Sequence, residues 1–310
     1  MYWMKRICPL NRPLLQYSDI KMQNNPSVKF RYEYHHVNGL TLHVGHMGPV
    51  TGEKIIFLHG FPEFSQSWIR QAAFFAKKGY HVIVPDQRGY NLSKKPGLTK
   101  HYAIGHLVTD ITALISTLGK CPVAVAGHDW GGGVAWMLAQ NHPELVSKLI
   151  ILNMPHPEVM KRNLRKNPSQ MLKSWYTGFF QLPFFPEKLC SIFNFKFLEL
   201  SMVKTARPGI FSREYIAACK RAWRQPNAIH GMISWYRAFF QYPADSNKSI
   251  HIPVLLLWGA KDSFLSLEMA QESISRCKNG ELIMLKNATH WLHHEEPELV
   301  NEHIFSFLEP

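Results

Sequence analysis

Six short, continuously apolar runs mark the chain: IIFL at Ile55, HVIVP at His81, VAVA at Val123, LIIL at Leu149, VLLLW at Val254 and LIML at Leu282. Apolar residues that do not alternate with polar ones belong to strands buried on both faces. Longer stretches with helical spacing separate them, among them SWIRQAAFFAKKG, a helix expected from about Ile104 to Gly119, and the closing EEPELVNEHIFSFL. Strand alternating with helix predicts a mostly parallel sheet with helices on both faces, an α/β fold. Ahead of it, FRYEYHHV and LTLHVGHM flank Asn38 and Gly39, the pair favoured by a two-residue hairpin turn, so the sheet is expected to begin antiparallel. From about His156 the strand rhythm stops for about ninety residues that read as helical, basic and aromatic, with Phe179, Phe180, Phe184, Phe185, Phe193, Phe195 and Phe197 close together. The expected organisation is an arm over residues 1–27, a core made of 28–155 and 246–310, and a helical lid over 156–245. Ligands of open parallel sheets bind at the carboxyl ends of the strands, so a lid inserted there would roof the site.

The pattern singles out PVAVAGHDWGGG, from Pro122 to Gly133. An apolar strand runs into Gly127, His128, Asp129, Trp130 and Gly131, and then into a helix. A nucleophile flanked by small residues at a sharp strand-to-helix turn is lifted above the sheet, with glycines where a side chain would clash. Here the lifted residue is Asp129. A carboxylate with an ordinary pKa of about 3.9 is ionised at neutral pH and attacks without a base. Attack on an acyl carbon would leave a reactive anhydride, whereas attack on a saturated carbon leaves an ester, so the elbow points to substitution at an sp3 carbon. The plainer alternative is that Asp129 caps the following helix.

Composition narrows the picture. The 310 residues are 46% hydrophobic, enough for a large core. Five cysteines without CxxC spacing argue against a disulfide framework or a structural zinc site, and with no apolar leader or membrane span in MYWMKRICPLNRP they point to a reducing, cytoplasmic setting. The net charge of +13 is concentrated between His156 and Asp245, where fourteen Lys and Arg face five Asp and Glu. No phosphate loop, zinc finger or RNP aromatic box accompanies it, so it reads as a solvated face rather than a nucleic-acid surface.

Asp262 in WGAKD and His290 in NATHW follow the last two apolar strands, in the order nucleophile, acid, histidine. The run His293, His294, Glu295, Glu296 offers metal-ligand residue types, but at imperfect helical spacing, and no metal is expected. On His59, Gly60, Phe61, Pro62, Glu63, on Pro85 to Tyr90, on Gly127 to Gly132 and on Tyr176 and Tyr236, the chain resembles the α/β-hydrolase superfamily and within it the epoxide hydrolases, over nearly all of residues 28–310. The resemblance implies that Asp129, Asp262 and His290 form a triad, that the Phe61 and Trp130 amides form an oxyanion hole, that a cis bond precedes Pro62, and that Tyr176 and Tyr236 donate to the epoxide oxygen. It implies no cofactor. Trp175, Phe179 and Phe180 are expected to line an apolar epoxide site, with a homo-oligomer left open. Asn91 stands where the family usually has glycine; asparagine tolerates positive φ, so the turn should survive. Two rivals remain: a haloalkane or haloacetate dehalogenase, whose halide the Trp130 and Trp175 indoles would hold, and a ligand-binding receptor on a hydrolase scaffold. Against haloacetate, Trp130 and Gly133 stand where its carboxylate-binding arginines would be.

Overall fold

The computed structural model describes residues 29–119, 122–244 and 248–309; the expected arm, Cys8 and Cys121 lie outside them. In chain order the elements are β1 (Arg31–Val37), β2 (Leu40–Met47), β3 (Lys54–Leu58), α1 (Ile69–Lys77), β4 (His81–Pro85), α2 (Ile104–Thr117), β5 (Val123–His128), α3 (Trp130–Asn141) and β6 (Val146–Leu152). Six helices follow: α4 (Pro157–Lys166), α5 (Pro168–Lys173), α6 (Trp175–Phe179), α7 (Phe185–Val203), α8 (Arg213–Trp223) and α9 (Ala228–Gln241). The chain ends with β7 (Ile250–Gly259), α10 (Glu268–Ile274), β8 (Cys277–Leu285), α11 (Leu292–Glu295) and α12 (Pro297–Leu308).

The eight strands form one sheet in the order β1-β2-β4-β3-β5-β6-β7-β8. The β1–β2 and β2–β4 pairs are antiparallel and every later pair is parallel. The hairpin turn has φ of 48° at Asn38 and 70° at Gly39, the double positive φ that a type I′ turn needs. The apolar strands are buried on both faces because each has its own layer to fill. Ile55, Phe57, Val82 and Val84 pack with Trp68, Phe75 and Ile304 on the side of α1 and α12. Ile56, Leu58, Val125 and Ile151 pack with the buried faces of α2, α3 and five of the six inserted helices, α4 and α6 to α9, on the other. In α9, Ile229, Met232, Ile233 and Tyr236, at helical spacing, are buried, while Phe240 at the end of the same stripe is 46% exposed. α7 is broken by non-helical backbone at Ile192–Phe195.

Candidate active site

At the carboxyl end of β5 the chain turns straight into α3, and Asp129 takes φ 48° and ψ −128° to make the turn. Non-glycine residues rarely adopt positive φ, so the surroundings must over-determine it. They do so with close backbone approaches: a Cβ on Gly127 would stand 2.4 Å from the Gly131 carbonyl oxygen, one on Gly131 2.2 Å from that of Leu58, and one on Gly60 2.4 Å from the Cβ of Asp129 itself. The peptide bond before Pro62 is cis, as the resemblance implied, and the turn it helps shape presents the Phe61 N–H to Asp129 Oδ1 at 2.8 Å. Trp130 opens α3. Its amide is therefore one of those left without an intrahelical acceptor.

The other carboxylate oxygen, Oδ2, is 3.6 Å from His290 Nε2, and His290 Nδ1 is 2.8 Å from Asp262 Oδ2. Three residues from β5, from the loop after β7 and from the loop after β8 thus meet in one line. Asp262 is fixed by donors from three directions: Asn153 Nδ2 at 2.5 Å, and the amides of Phe264 and Leu265 at 2.7 and 3.0 Å. Asn153 also accepts from the Gly259 N–H at 2.7 Å, so it ties the end of β6 to the end of β7 beneath the acid. The Phe264 ring stands edge-on to the His290 imidazole at 5.1 Å. Asn153 and Phe264 escape a reading of residue types alone. The only signal was position, since Asn153 ends the LIILN strand.

Charge follows from this geometry. Burial disfavours the His290 imidazolium, but the Asp262 charge and hydrogen bonds to Asp129 and Asp262 outweigh it and push the ring up to about 10. Burial would raise Asp262, yet the His290 charge and its donors hold it below the usual carboxylate range. The phenols of Tyr176 and Tyr236 are driven upward, chiefly by burial and next by the Asp129 charge, so both keep their protons and remain donors.

Both tyrosines stand over Asp129. Tyr176 comes from α6 and Tyr236 from α9, with ring centroids 5.9 Å apart, and both line a cavity of about 450 Å3 that also exposes Asp129 and His290. Phe180 and the rim residue Trp175 line the same space. Phe179 instead packs against Phe185 and Phe197, at 5.8 and 6.4 Å. A second, smaller hollow of about 30 Å3 opens on the other side, lined by Asp129, Met154, Leu164, Phe239 and the two tyrosines. Asp129 therefore faces apolar space in two directions.

The HGFPE turn holds a further cluster. Glu63 is fully buried and accepts from Tyr215 Oη at 2.6 Å and from His294 Nε2 at 2.7 Å, with His293 Nε2 3.4 Å away. Glu295 turns away from it, accepting from Thr289 N and Oγ1 and from Arg207 N, while Glu296 pairs with Arg207 at 2.6 Å. The four residues from His293 to Glu296 thus do not converge on one point. Asn91, with φ 40°, keeps the turn in which glycine is usual, and its side chain donates to Asp86 Oδ2 at 2.8 Å.

Comparison with known proteins agrees with this fold. The model of the alpha/beta hydrolase fold family matches residues 54–297. An AB hydrolase superfamily protein of Bacillus subtilis is 42% identical over 277 residues, 89% of this chain and 97% of the relative. Human epoxide hydrolase 4 is 38% identical over 278 residues, 87% of this chain and 76% of the relative. The crystal structure of a variant epoxide hydrolase from Bacillus megaterium, complexed with its product (R)-3-[1]naphthyloxy-propane-1,2-diol, superposes with a TM-score of 0.81 at 33% identity, covering 89% of this chain and 99% of that one. A sheet of this order, an aspartate at its elbow and relatives of this closeness place the chain in the α/β-hydrolase fold family and, within it, among the epoxide hydrolases.

Proposed function

We propose that the protein hydrolyses apolar epoxides to vicinal diols through an ester on Asp129, with the helices between β6 and β7 serving as the cap that supplies the proton donors. In the first step Asp129 Oδ2 attacks an epoxide carbon, the ring C–O bond breaks, and the departing oxygen takes its proton from Tyr176 or Tyr236. In the second, His290 takes a proton from water, which adds to the ester carbonyl carbon. The resulting oxyanion forms on Oδ1, where the Phe61 amide already sits, with the Trp130 amide as its second donor. Collapse breaks the acyl C–O bond, the departing alkoxide takes the proton of the newly formed acid, and the diol leaves with the carboxylate restored and His290 again protonated.

The charge on His290 makes the two steps sequential. Flanked by two carboxylates, the ring is held as an imidazolium. Ester formation neutralises one of them, so its pKa falls, the ring's proton passes to the phenolate left by the first step, and a neutral imidazole is available when a base is needed.

The observation that carries this reading is a carboxylate held by a backbone amide and a histidine while facing two protonated phenols across apolar space. Phe180, Phe197, Leu200 and Phe264 line that space, which favours aryl or long-chain epoxides, and the aryl ether diol bound by the Bacillus megaterium enzyme is of that kind. Tyr176→Phe combined with Tyr236→Phe should reduce diol formation from styrene oxide by roughly 10³-fold or more while leaving the melting temperature within a few degrees. Retained epoxide turnover in the double variant, or faster halide release than diol formation in the parent, would favour dehalogenation instead.

A further inference from the structure

At the β1 edge of the sheet three imidazoles stand in file across three strands. His35 of β1 stacks on His46 of β2 at 5.3 Å, and His46 stacks on His81 of β4 at 5.3 Å. Their nitrogens are joined in sequence, with His35 Nε2 3.2 Å from His46 Nε2 and His46 Nδ1 3.1 Å from His81 Nε2. Glu33, two residues before His35 on β1, brings Oε2 to 3.8 Å from His35 Nε2, while its Oε1 accepts from Arg31 Nε at 3.0 Å. None of these residues lines the cavity over Asp129.

The proton positions show what the file is suited to. Thr117 Oγ1 donates to the Leu114 carbonyl at 2.7 Å, so towards His35 Nδ1, 3.4 Å away, it accepts. That places the His35 proton on Nδ1 and leaves a lone pair on Nε2. If His46 donates from Nδ1 to His81, it too turns a lone pair from Nε2 towards the same point. In that tautomer the two lone pairs, 3.2 Å apart, have the separation a shared cation imposes: nitrogens bound to zinc at about 2.0 Å lie about 3.3 Å apart in a tetrahedron. In the other tautomer His46 Nε2 donates to His35 Nε2 as an ordinary hydrogen bond, which a cation would displace. Both ligand imidazoles have the second nitrogen engaged by another side chain, His35 Nδ1 by Thr117 and His46 Nδ1 by His81, the support that metal-ligating histidines need.

We propose that Glu33, His35 and His46 bind one divalent transition-metal cation of the zinc type, with water completing the tetrahedron. The three donor atoms lie within 4.8 Å of one another. The ion would join β1, which among the described residues is an edge strand with a single neighbour, to β2, and through His81 reach β4. Its effect is to hold the edge hairpin in register rather than to take part in turnover.

The test uses the whole protein, stripped with EDTA and titrated with zinc chloride by calorimetry and with cobalt chloride by visible spectroscopy. The parent should bind with a micromolar dissociation constant, show the d–d bands of Co2+ on nitrogen ligands, and gain about 4 °C in Tm at a hundredfold excess of zinc over that constant. Glu33→Gln combined with His35→Gln should lose one equivalent of tight binding and the whole thermal gain, with epoxide turnover in EDTA unchanged. Should the double variant fold poorly, Glu33→Gln alone, at a half-exposed position, should still weaken zinc binding about tenfold. The proposal is overturned if parent and variant bind zinc with equal stoichiometry and affinity, because the ion is then held elsewhere, or if zinc leaves the parent's Tm unmoved.

Discussion

Asp129 and Tyr236 face the same cavity yet are held in opposite ways. Asp129 is fixed by backbone: it sits at a strand end, its φ is positive, Gly127 and Gly131 let neighbouring main chain pass too close for any Cβ, and Gly60 brings its own main chain equally close to the Asp129 side chain. Tyr236 is fixed by rings, those of Phe61 at 5.2 Å, Trp130 at 5.0 Å and Phe180 at 4.9 Å, on a helix whose inner stripe is buried from Ile229 to Tyr236. Backbone geometry admits almost no adjustment, whereas a side-chain cluster can repack at modest cost. The contrast separates the two halves of the reaction. In the proposed reaction the sheet supplies a nucleophile, an acid and a base whose positions cannot drift, and the inserted helices supply donors and walls that can be retuned to another substrate.

The sharpest way to break this contrast is Gly60→Ala. Its added Cβ would fall 2.4 Å from the Cβ of Asp129, so the nucleophile must move, and kcat/KM should fall on the order of 10²-fold or more although no functional group is lost. A variant within twofold of the parent would mean that the elbow is softer than its contacts imply.

Asn153→Ala probes the same frame one layer out. It removes a donor from Asp262 and leaves the buried Gly259 N–H unpaired, costing about 1–3 kcal/mol of stability. As a positioning residue for the acid, Asn153 should also be visible in chemistry: kcat is expected to fall about tenfold, with its pH profile displaced while KM holds, because the group it orients acts through His290. Loss of stability with an unchanged pH profile would reduce Asn153 to a structural bond.

A smaller effect comes from pH. His290 in the folded chain is raised to about 10, above the ~6.5 of an unfolded chain, so its contribution to stability is complete below about 6.5 and is lost as pH rises towards 10. The Tm advantage of the parent over His290→Gln should therefore shrink across that window. An advantage that is constant from pH 6 to pH 10 would show that the imidazolium is not held by the two carboxylates.

What the sequence discloses follows the same division. The hairpin at Asn38 and Gly39, the buried strands, the elbow and the helix that follows it were legible because each depends on local chemistry: a turn pair, an apolar run, a glycine spacing. Asp262 and His290 were legible because they follow apolar strands in the right order, and the structure brings them into line with Asp129. Asn153 could not be found that way, since its partners Asp262 and Gly259 are more than a hundred residues away and any polar residue may end a strand. Within the inserted helices, residue types gave the aromatic density but not the direction of each ring. Trp175 and Phe180 face the cavity while Phe179, beside them, packs on Phe185 and Phe197. The break at Ile192–Phe195 within α7 had no sequence signal either, as those residues carry neither proline nor glycine.

The central claim is that Asp129 forms a covalent ester which His290 is needed to discharge. The most direct measurement is intact mass spectrometry of His290→Gln mixed with excess styrene oxide, followed by peptide mapping. A carboxylate nucleophile needs no base to attack, so the variant should gain the mass of one substrate on Asp129 and turn over no further, while the parent, after a single turnover in heavy-oxygen water, should carry label in the same carboxylate. An unmodified variant, together with label that appears only in the diol, would mean that water opens the epoxide directly and would contradict the assignment of Asp129 as the nucleophile.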